Sequence, residues 1–458
     1  MKNLTVGCFI AMLGFTACQK TMEPKIYDQQ NAVAVSDIKT TIRVSVKDFG
    51  AKGDGVSDDG KAIQAAEDYV YAQGGGTVYV PAGVYIVSEP FYHRSFVTLR
   101  GAGDASVIKN PTEAKTIGDN QFCIQIGNFS PSTYGQCEHY SVNDITAGST
   151  VIRFKNASDA RAFGPGQTVL VDTDDGFIST DNQFKPYQAF INRIKSVDTV
   201  RGTMRLEDPV STDVHHAKVG STIKFKPGTN NDTSKIYICQ SPVIRDIRFE
   251  SNGDWTMRFG VYKGVFDNIS LKTTDVIAGN GFSHCKFRNI RAEYCQKVIE
   301  MDMYSHDSYV TGLDATWTAG AFDIPMKPLL KMGENVRNCS YSNMHITSGK
   351  DRAVGMVIRY EHAFNNKIFK NNFQCGAIIG SVVEYSTTDP LSIVTGNQTY
   401  NNAFAVDSAL SYIKVDNGGS GSLLDNNSVT GNTFSGKVNK TTYIKAVDNN
   451  VIKNNIYN

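Results

Sequence analysis

A short stretch of the sequence places acidic and basic groups at alternate positions. Residues 298–304 read Val-Ile-Glu-Met-Asp-Met-Tyr, and the apolar and polar residues alternate from Ile299 onward. Because successive side chains of a β-strand point to opposite faces, Glu300, Asp302 and Tyr304 are predicted to share one face. His306 follows just past this strand. Carboxylate, imidazole and phenol groups serve as acids, bases and cation ligands, so this strand is a candidate for acid–base chemistry.

Other strands of the same alternating type supply further candidates. If such strands stack, their outward side chains come within reach of one another, and we predict a catalytic set and a substrate-binding set on one face. The catalytic set comprises Glu300, Asp302, Asp314, Arg359 and Glu361, and the substrate-binding set comprises Tyr304, His306, Arg288, Lys286 and His362. The alternative is a solvated face without chemistry, since the outward residues of a sheet are polar in any case.

The elements that would position these residues recur along the second half of the chain. From residue 242 onward, two apolar residues repeatedly enclose one or two polar residues, usually including Asn. The first steps, from Asp246 to Asn268 and then to Asn289, are 22 and 21 residues long. Asn tolerates the left-handed backbone of a tight corner, and stacked Asn amides can bond along a ladder. So short a period indicates stacked parallel β-coils with Val, Ile and Phe facing inward.

A different pattern interrupts this arrangement at residues 144–226. Segments that alternate apolar and polar residues are separated there by Gly- and Pro-containing turns, which is typical of antiparallel strands. We therefore predict a small inserted antiparallel β-subdomain. Its loop 172–186 is rich in Asp and could bind Ca²⁺, but it lacks the EF-hand spacing, so solvated acids are the favoured interpretation.

The N-terminal part of the body contains the most specific pattern in the chain. Ile63, Ala66 and Val70 form the apolar face of a predicted helix, which Ser57 or Asp58 would cap. Such a helix can cover the first edge of a parallel sheet, so we interpret this block as structural. Its motifs are Val-Lys-Asp-Phe-Gly-Ala-Lys-Gly-Asp-Gly at 46–55, Asp-Asp at 58–59, Ala-Ile-Gln-Ala-Ala at 62–66, Gly-Gly-Gly-Thr-Val-Tyr-Val-Pro-Ala-Gly at 74–83 and Leu-Arg-Gly-Ala-Gly at 99–103.

Residues 44–103 resemble the opening of the pectate-lyase superfamily, and in particular its rhamnogalacturonase/epimerase-like group. The resemblance implies an all-β fold, a right-handed single-stranded parallel β-helix with an N-terminal capping helix. It also implies an enzyme that cleaves an extracellular polysaccharide in a groove on one outer face. The alternative within the same superfamily is a glycan-binding or tailspike-like adhesion protein that performs no chemistry.

Two mechanisms remain open under this resemblance. A glycoside hydrolase needs two carboxyl groups, which Glu300 or Asp302 could form with Asp314 or Glu361. A polysaccharide lyase needs a base and a group that neutralises a uronate carboxylate. The cationic, imidazole and phenol groups of the two candidate sets suit those roles. Glu300 and Asp302 would then be ligands of Ca²⁺, which is expected only if the protein is a lyase. The catalytic motifs of polygalacturonases have no ordered counterparts in the expected coils, so the roles of that family are not transferred.

The ends and the composition limit location and partners. Lys2, an apolar stretch and the lipobox-like sequence Phe-Thr-Ala-Cys at 15–18 predict a lipoprotein signal peptide, with lipidation of Cys18 and anchoring at the outer membrane or cell surface. Basic and acidic residues nearly balance, at 46 and 45, so nucleic acid is not an expected partner. No Cys-x-x-Cys motif or Cys/His cluster indicates zinc. The last coil lacks a capping helix, so a homo-oligomer could form by stacking. The predicted segments are a signal peptide 1–18, a tether 19–40, a cap with first coils 41–143, the insert 144–226 and further coils 227–458.

Overall fold

The structure, a computed structural model, describes most of the predicted body of the chain, with several gaps. The described residues are 42–111, 123–127, 138–178, 184–221, 238–251, 259–272, 275–295, 297–302, 304–317, 328–333, 335–348, 356–387, 393–417, 422–445 and 449–458. The signal peptide, Cys18, the tether and Asp181 lie outside them, so the predicted lipid anchor stays a prediction, as do the exported location, the segment boundaries and the homo-oligomer. Within the described part, no helix is both long and apolar enough to cross a membrane.

Parallel strands pair along three lines, which we call sheets I, II and III. Four long strands, Val243–Glu250, Val265–Lys272, Lys286–Cys295 and Tyr309–Trp317, belong first to sheet I and then to sheet II. Sheet I also contains Arg43–Ser45, Gly76–Tyr79, Val97–Arg100, Ser340–Ser342, Lys367–Phe369, Gln398–Tyr400, Ser428–Thr430 and Val451–Lys453. Sheet II also contains Asp54–Asp58, Gly83–Ile86, Ser106–Lys109, His345–Ser348, Asn372–Ala377 and Ile456–Tyr457.

Sheet III carries the strand with the acidic pattern described above. Its strands are Cys239–Gln240, Phe259–Tyr262, Asp275–Ser283, Lys297–Asp302, Pro328–Met332, Met356–Tyr360 and Ser381–Thr387. The long strands Ala403–Asn417 and Thr433–Lys445 begin in sheet II and end in sheet III. A short line of pairs follows sheet III in each coil, namely Val336–Arg337, Ala363–Phe364, Ile393–Thr395 and Leu423–Asp425, and Phe91–His93 pairs with Ile124–Ile126. The chain thus folds as the predicted right-handed parallel β-helix.

Apolar side chains from successive coils stack directly in the interior. Ile244, Phe266 and Phe287 are paired in register and buried, and the rings of Phe266 and Phe287 stack with centroids 4.8 Å apart. Phe373 and Phe404 stack in the same way at 4.9 Å. Each coil therefore buries its inward face mainly against its neighbours, as the repeat pattern predicts.

The corner between sheets I and II has the predicted left-handed residues. The corner residues Asp246, Asn268, Asn289 and Asn343 all have φ between 53° and 55°. Strand pairing places the first three of them in successive coils, as the predicted repeat requires. In the later motif, Lys370 takes the left-handed position and the following Asn371 turns inward. The motif therefore predicts the corner correctly but not always which residue occupies it.

Buried Asn residues form two amide ladders beside the corners. In one, Asn397 Oδ1 accepts the backbone N–H of Asn366 at 3.0 Å, and Asn397 Nδ2 donates to the carbonyl of Ala363 at 2.8 Å. The same bonds repeat down the stack, because these amides satisfy backbone groups that the turning chain leaves without a strand partner. The ladders are Asn366, Asn397, Asn427 and Asn450, and Asn371, Asn402, Asn432 and Asn455.

The N-terminal block caps the β-helix as predicted. Helix Gly60–Ala72 buries Ile63, Ala66 and Val70. Its N-cap position is Asp59, one residue after the predicted cap, and the Asp59 carboxylate accepts the backbone N–H groups of Lys52 and Gly53. The Asp59 carboxylate thereby stabilises the preceding turn, which supports a structural role for the block. Three short 3₁₀ helices are Val46–Phe49, Gly103–Ala105 and Ala157–Ala162.

The inserted antiparallel subdomain is also present. Its sheet has the order Val151–Arg153, Thr203–Leu206, Ala189–Asp198, Thr168–Thr173, Ala217–Ser221 and His139–Ser141, and a hairpin pairs Gly176–Ile178 with Phe184–Pro186. Val97–Arg100 pairs directly with the first part of Val243–Glu250, so the insert does not interrupt the stack. In its acidic loop, Asp174 pairs with Lys218 and Asp175 with His216. Those two acids are therefore neutralised by neighbouring side chains.

The interior amide ladders should carry a large share of local stability. We expect Asn397→Ala to lower the free energy of unfolding by ~3 kcal/mol, because buried backbone groups lose their partners. Asn372→Ala, an exposed Asn in the adjacent strand, is the control and should change it by less than ~0.5 kcal/mol. Chemical denaturation measures both. Equal effects of the two substitutions would contradict a structural role of the ladder.

Candidate functional site

The outward face of sheet III gathers charged residues from successive coils into one row. The pairing places Glu300 beside Lys331, Lys331 beside Arg359, and Arg359 beside Glu384. Lys414 continues the row beyond Glu384, and their Nζ and Oε1 atoms are 3.4 Å apart. Since neighbouring strands lie ~4.8 Å apart, adjacent members of the row can interact directly.

A second row, displaced by two residues, converges on the same lysine. Lys331 Nζ lies 3.3 Å from Asp302 Oδ2, 3.9 Å from Glu300 Oε1 and 3.9 Å from Glu361 Oε2. Arg359 also approaches Glu361, with 3.7 Å between its guanidinium and Oε1. Three carboxylates from two coils thus surround one ammonium group from the coil between them. We call Glu300, Asp302, Lys331, Arg359 and Glu361 the charged cluster.

The charged cluster is half-buried. The side chains of its members are between 17% and 21% exposed. The residues that alternate with them, such as Ile299, Met301 and Ile358, are fully buried in the core, and this alternation fixes the outward direction of the charged groups. Charges at this depth are screened less than charges on an open surface, so their mutual interactions are strong.

The structure brings four of the five predicted catalytic residues together. Glu300, Asp302, Arg359 and Glu361 lie in the charged cluster. Asp314 does not, because its strand pairs with Arg291 and His345 in sheet II, where its side chain is exposed. The prediction that Asp314 joins this set is therefore wrong, because its strand belongs to sheet II and not to sheet III. The catalytic roles of the other four stay predictions.

The predicted substrate-binding residues lie elsewhere. Lys286 and Arg288 point outward from sheet I, where Arg288 pairs with Asp267 at 2.9 Å. Tyr304, His306 and His362 are buried, with at most 4% of the surface of each residue exposed. Grouping these five with the cluster is wrong for two reasons. Lys286 and Arg288 belong to sheet I, and the other three follow the ends of sheet III strands. The strand ends at Asp302, and Tyr304 has a φ of 63°, so the alternation of faces does not continue past the strand end.

The inserted subdomain buries these residues at the end of sheet III. Ile191 and Leu170 of the insert pack against Tyr262 and Tyr304 of the coils. Arg337, which is 2% exposed, lies with its guanidinium 5.0 Å from the ring centroid of Phe190 and donates a hydrogen bond to the carbonyl of Tyr187. Burial lowers the pKa of Arg337 to about 9. The insert is thus fixed beside the face that carries the charged cluster.

Lys331 is the central residue that sequence reasoning missed. Its strand, Pro328–Met332, is buried at Leu329, Leu330 and Met332, and Lys331 is its charged, outward residue. The sequence does contain a signal for this residue, because a lysine lies within an apolar run that follows the two-residue period of a strand. It was overlooked because this coil is longer than the clean early repeats.

A Ca²⁺ ion does not fit the charged cluster. Calcium binds a set of oxygen ligands that surround the ion. Here the three carboxylates already surround the ammonium group of Lys331. The arrangement instead supplies carboxyl groups for proton transfer and cations that hold a negatively charged group. Over the longer face with Glu384, Lys414 and Asp416, carboxylates outnumber cations five to three.

Gly333 leaves the space in which the Asp302 carboxylate lies. A Cβ atom at position 333 would be 2.4 Å from Asp302 Oδ1 and 2.9 Å from Lys331 Cε. No real Cβ tolerates such distances, so any side chain here must displace the carboxylate or the lysine. Gly333 is therefore needed for the position of Asp302 rather than for a special backbone conformation.

We expect Gly333→Ala to move the Asp302 carboxylate away from Lys331 Nζ while changing the free energy of unfolding by less than ~1 kcal/mol, because a side-chain end can rotate at little cost. Crystal structures of the variant and the wild-type protein measure the change. Gly164→Ala is the control, since its Cβ would approach nothing closer than 3.9 Å. A carboxylate that stays 3.3 Å from Nζ in the variant would refute this role of Gly333.

Comparison with known proteins agrees with the N-terminal pattern. Residues 43–146 match the family model described as rhamnogalacturonase A/epimerase, pectate lyase-like. The chain is 30% identical to mannuronan C5-epimerase AlgE1 of Azotobacter vinelandii over 203 residues, which are 41% of this chain and 14% of that protein. It is 66% identical to alginate lyase 7 of the same organism over 44 residues, 10% of this chain and 5% of that protein. The chain therefore spans a small part of these relatives.

Among solved structures, the chain is similar to the tailspike protein gp49 of Pseudomonas phage LKA1, with a TM-score of 0.44 and 12% identity over 90% of this chain and 79% of that one. The family match covers the capping helix and the first coils, and the coils that follow have the three parallel sheets, the Asn corners and the stacked interior described above. Residues 43–146 thus match a pectate-lyase-like family model, and the described part of the chain folds as a right-handed parallel β-helix.

Proposed function

We propose that this protein is an enzyme that cleaves an extracellular polysaccharide at the charged cluster of sheet III, by general acid–base catalysis of glycosidic-bond hydrolysis. The observation that carries the proposal is the convergence of Glu300, Asp302 and Glu361 on Lys331. Glycoside hydrolysis requires two carboxyl groups on either side of the scissile bond, one of them protonated. Since all three lie within 3.9 Å of one atom, any two are close enough to act on the same bond.

The charge balance of the cluster favours this division of roles. Two cations, Lys331 and Arg359, face three carboxyl groups. If one carboxyl carries a proton, the cluster is neutral, and that carboxyl can protonate the leaving oxygen while another acts as base or nucleophile. Glu361 is the best candidate for the base or nucleophile, because both cations approach it.

The same face disfavours a strongly acidic substrate. Because carboxylates outnumber cations five to three over the longer face, a polyanion would be repelled there. We therefore propose that the sugars at the cluster are neutral or carry few carboxylates. The predicted export signal, if present, would place this substrate outside the cytoplasm.

A second candidate is proton abstraction next to a uronate carboxylate, as a lyase or epimerase would perform. It is favoured by the relatives, which are named mannuronan C5-epimerases and an alginate lyase, and by Lys331, which could hold a carboxylate. A glycan-binding protein without catalysis is the third outcome that the experiment must separate.

Product analysis on neutral, amino-sugar and uronate polysaccharides separates these candidates. Hydrolysis produces new reducing ends without the ultraviolet absorbance of an unsaturated uronate, and we expect this result on a substrate with few carboxylates. Because Ca²⁺ does not fit the cluster, added Ca²⁺ should leave the rate unchanged. Unsaturated products or an altered uronate composition without cleavage would support the second candidate, and tight binding without products would support the third.

Substitutions in the cluster test the site itself. We expect Glu300→Gln, Asp302→Asn and Glu361→Gln to include at least two variants with ~10³-fold lower kcat, since general acid–base groups contribute about that much. Asp314→Asn is the matched control, because Asp314 lies in sheet II, and it should retain wild-type activity. Activity near that of the wild-type protein in all three cluster variants would exclude this site.

A further inference from the structure

A second group of titratable side chains lies outside the charged cluster, where the inserted subdomain meets the coils. One donor atom of each of His284, His306 and Asp307 lies within 4.8 Å of the other two. The group comes from two successive coils, since Ser283 pairs with His306 across the stack. Two imidazoles and a carboxylate are the donor set that zinc and related divalent metals prefer. We propose that His284, His306 and Asp307 bind a divalent transition metal, with Zn²⁺ the best fit.

The hydrogen bonds around His284 leave the correct nitrogen for a metal. Ser283 Oγ donates to the carbonyl of Ile191 at 2.8 Å, so the same oxygen can accept a hydrogen bond from His284 Nδ1–H at 3.0 Å. The lone pair of the neutral ring is then on Nε2.

His306 has a suitable outer partner as well. Its Nδ1 lies 2.8 Å from Asp307 Oδ2, and its Nε2 lies 3.1 Å from the carbonyl oxygen of Ile191. Without a metal, Nε2 accepts the N–H of Ile191 at 2.9 Å and Nδ1–H donates to Asp307. When Nδ1 binds a metal, the proton moves to Nε2 and is donated to the Ile191 carbonyl, the usual support of a ligating histidine.

The geometry requires only small adjustments. Tetrahedral zinc places its donor atoms ~3.3 Å apart, since each bond is ~2.0 Å long. The present separations, from 2.8 Å to at most 4.8 Å, enclose this value. His306 is buried, whereas His284 and Asp307 are half-buried with 25% and 26% of their side chains exposed. An ion can therefore enter from one side, and water can supply the remaining ligand.

The local charge also favours a divalent cation. Asp208 of the insert has Oδ2 4.0 Å from His284 Nε2, which adds a second carboxylate beside the three donors. Lys263 pairs with Asp208 at 3.1 Å and with Glu207 at 3.5 Å, so it compensates the acids of the insert.

A metal at this position would join the two parts of the molecule. The donors lie on turns of the β-helix, and their outer partners, Ile191 and Asp208, belong to the inserted subdomain. Metal binding would therefore hold the insert against the end of sheet III, beside the charged cluster. This inference does not depend on the proposed function of that cluster.

Metal binding by the full-length chain tests the proposal directly. After treatment with a chelator, the protein is titrated with Zn²⁺ by calorimetry, and the Co²⁺-loaded protein is examined for the visible absorption of a tetrahedral site. We expect one equivalent of tightly bound Zn²⁺ and a higher Tm in its presence. Glu361→Gln, which alters the charged cluster only, should bind Zn²⁺ normally, so failure of one proposal is distinct from failure of the other.

Two variants and one control identify the ligands. His284→Asn and Asp307→Asn should each lower the Zn²⁺ affinity ~100-fold or more. Both residues have φ near 50°, which Asn tolerates, and Asn338 occupies the same corner in the next coil, so each variant should fold. His216→Asn is the control, because His216 has a φ of 47° and pairs with Asp175 on the surface. Unchanged affinity in both variants, or an equal loss in the control, would overturn the proposal, as would the absence of one bound equivalent.

Discussion

The corner between coils is the constraint on which the rest of this structure depends. A chain that turns sharply twice in each coil leaves backbone groups that cannot join a sheet, and burying them without partners would be costly. Left-handed residues such as Asn289 and Asn343 make the turn. Inward amides such as Asn397 form hydrogen bonds with buried backbone groups of the preceding coil that have no strand partner. Because each amide bonds to the next coil, the ladders fix the vertical register between coils. Loops elsewhere can then vary in length without shifting the strands.

This register determines what the outer faces can do. With successive coils aligned residue by residue, one outward position repeated in several coils becomes a continuous row. Lys331 can meet carboxylates from the coil before and the coil after only because no coil slips by one residue. A slip would reverse every side chain of a strand and carry Glu300 into the core. The charged cluster thus depends on the parallel pairing that aligns these coils.

Sequence reasoning works where the period is short and the strand is long. The alternation around Met301 correctly turns Glu300 and Asp302 outward, and the Asn motif gives the corners of the early coils. It fails past the strand end, because the backbone at Tyr304 enters the left-handed region and the two-residue period no longer applies. It also fails for Asp314, since sequence order does not reveal which of three sheets a short apolar run will join. The burial of His306 and His362 depends on the insert, and no periodic pattern in the sequence predicts where the insert packs against the coils.

The position of the insert links the two sites. It leaves the β-helix after Ile124–Ile126, which pairs beside Phe91–His93, and returns at Cys239–Gln240, the first strand of sheet III. A subdomain inserted there must lie at the end of that sheet, next to the strand that carries Glu300 and Asp302. Its contacts include a buried Arg337 and a group of histidines, which are costly to desolvate and are unnecessary for packing alone. Apolar side chains would hold the insert at a lower desolvation cost. The charged and ligating groups at this junction are the ones through which the proposed metal would hold the insert beside the charged cluster.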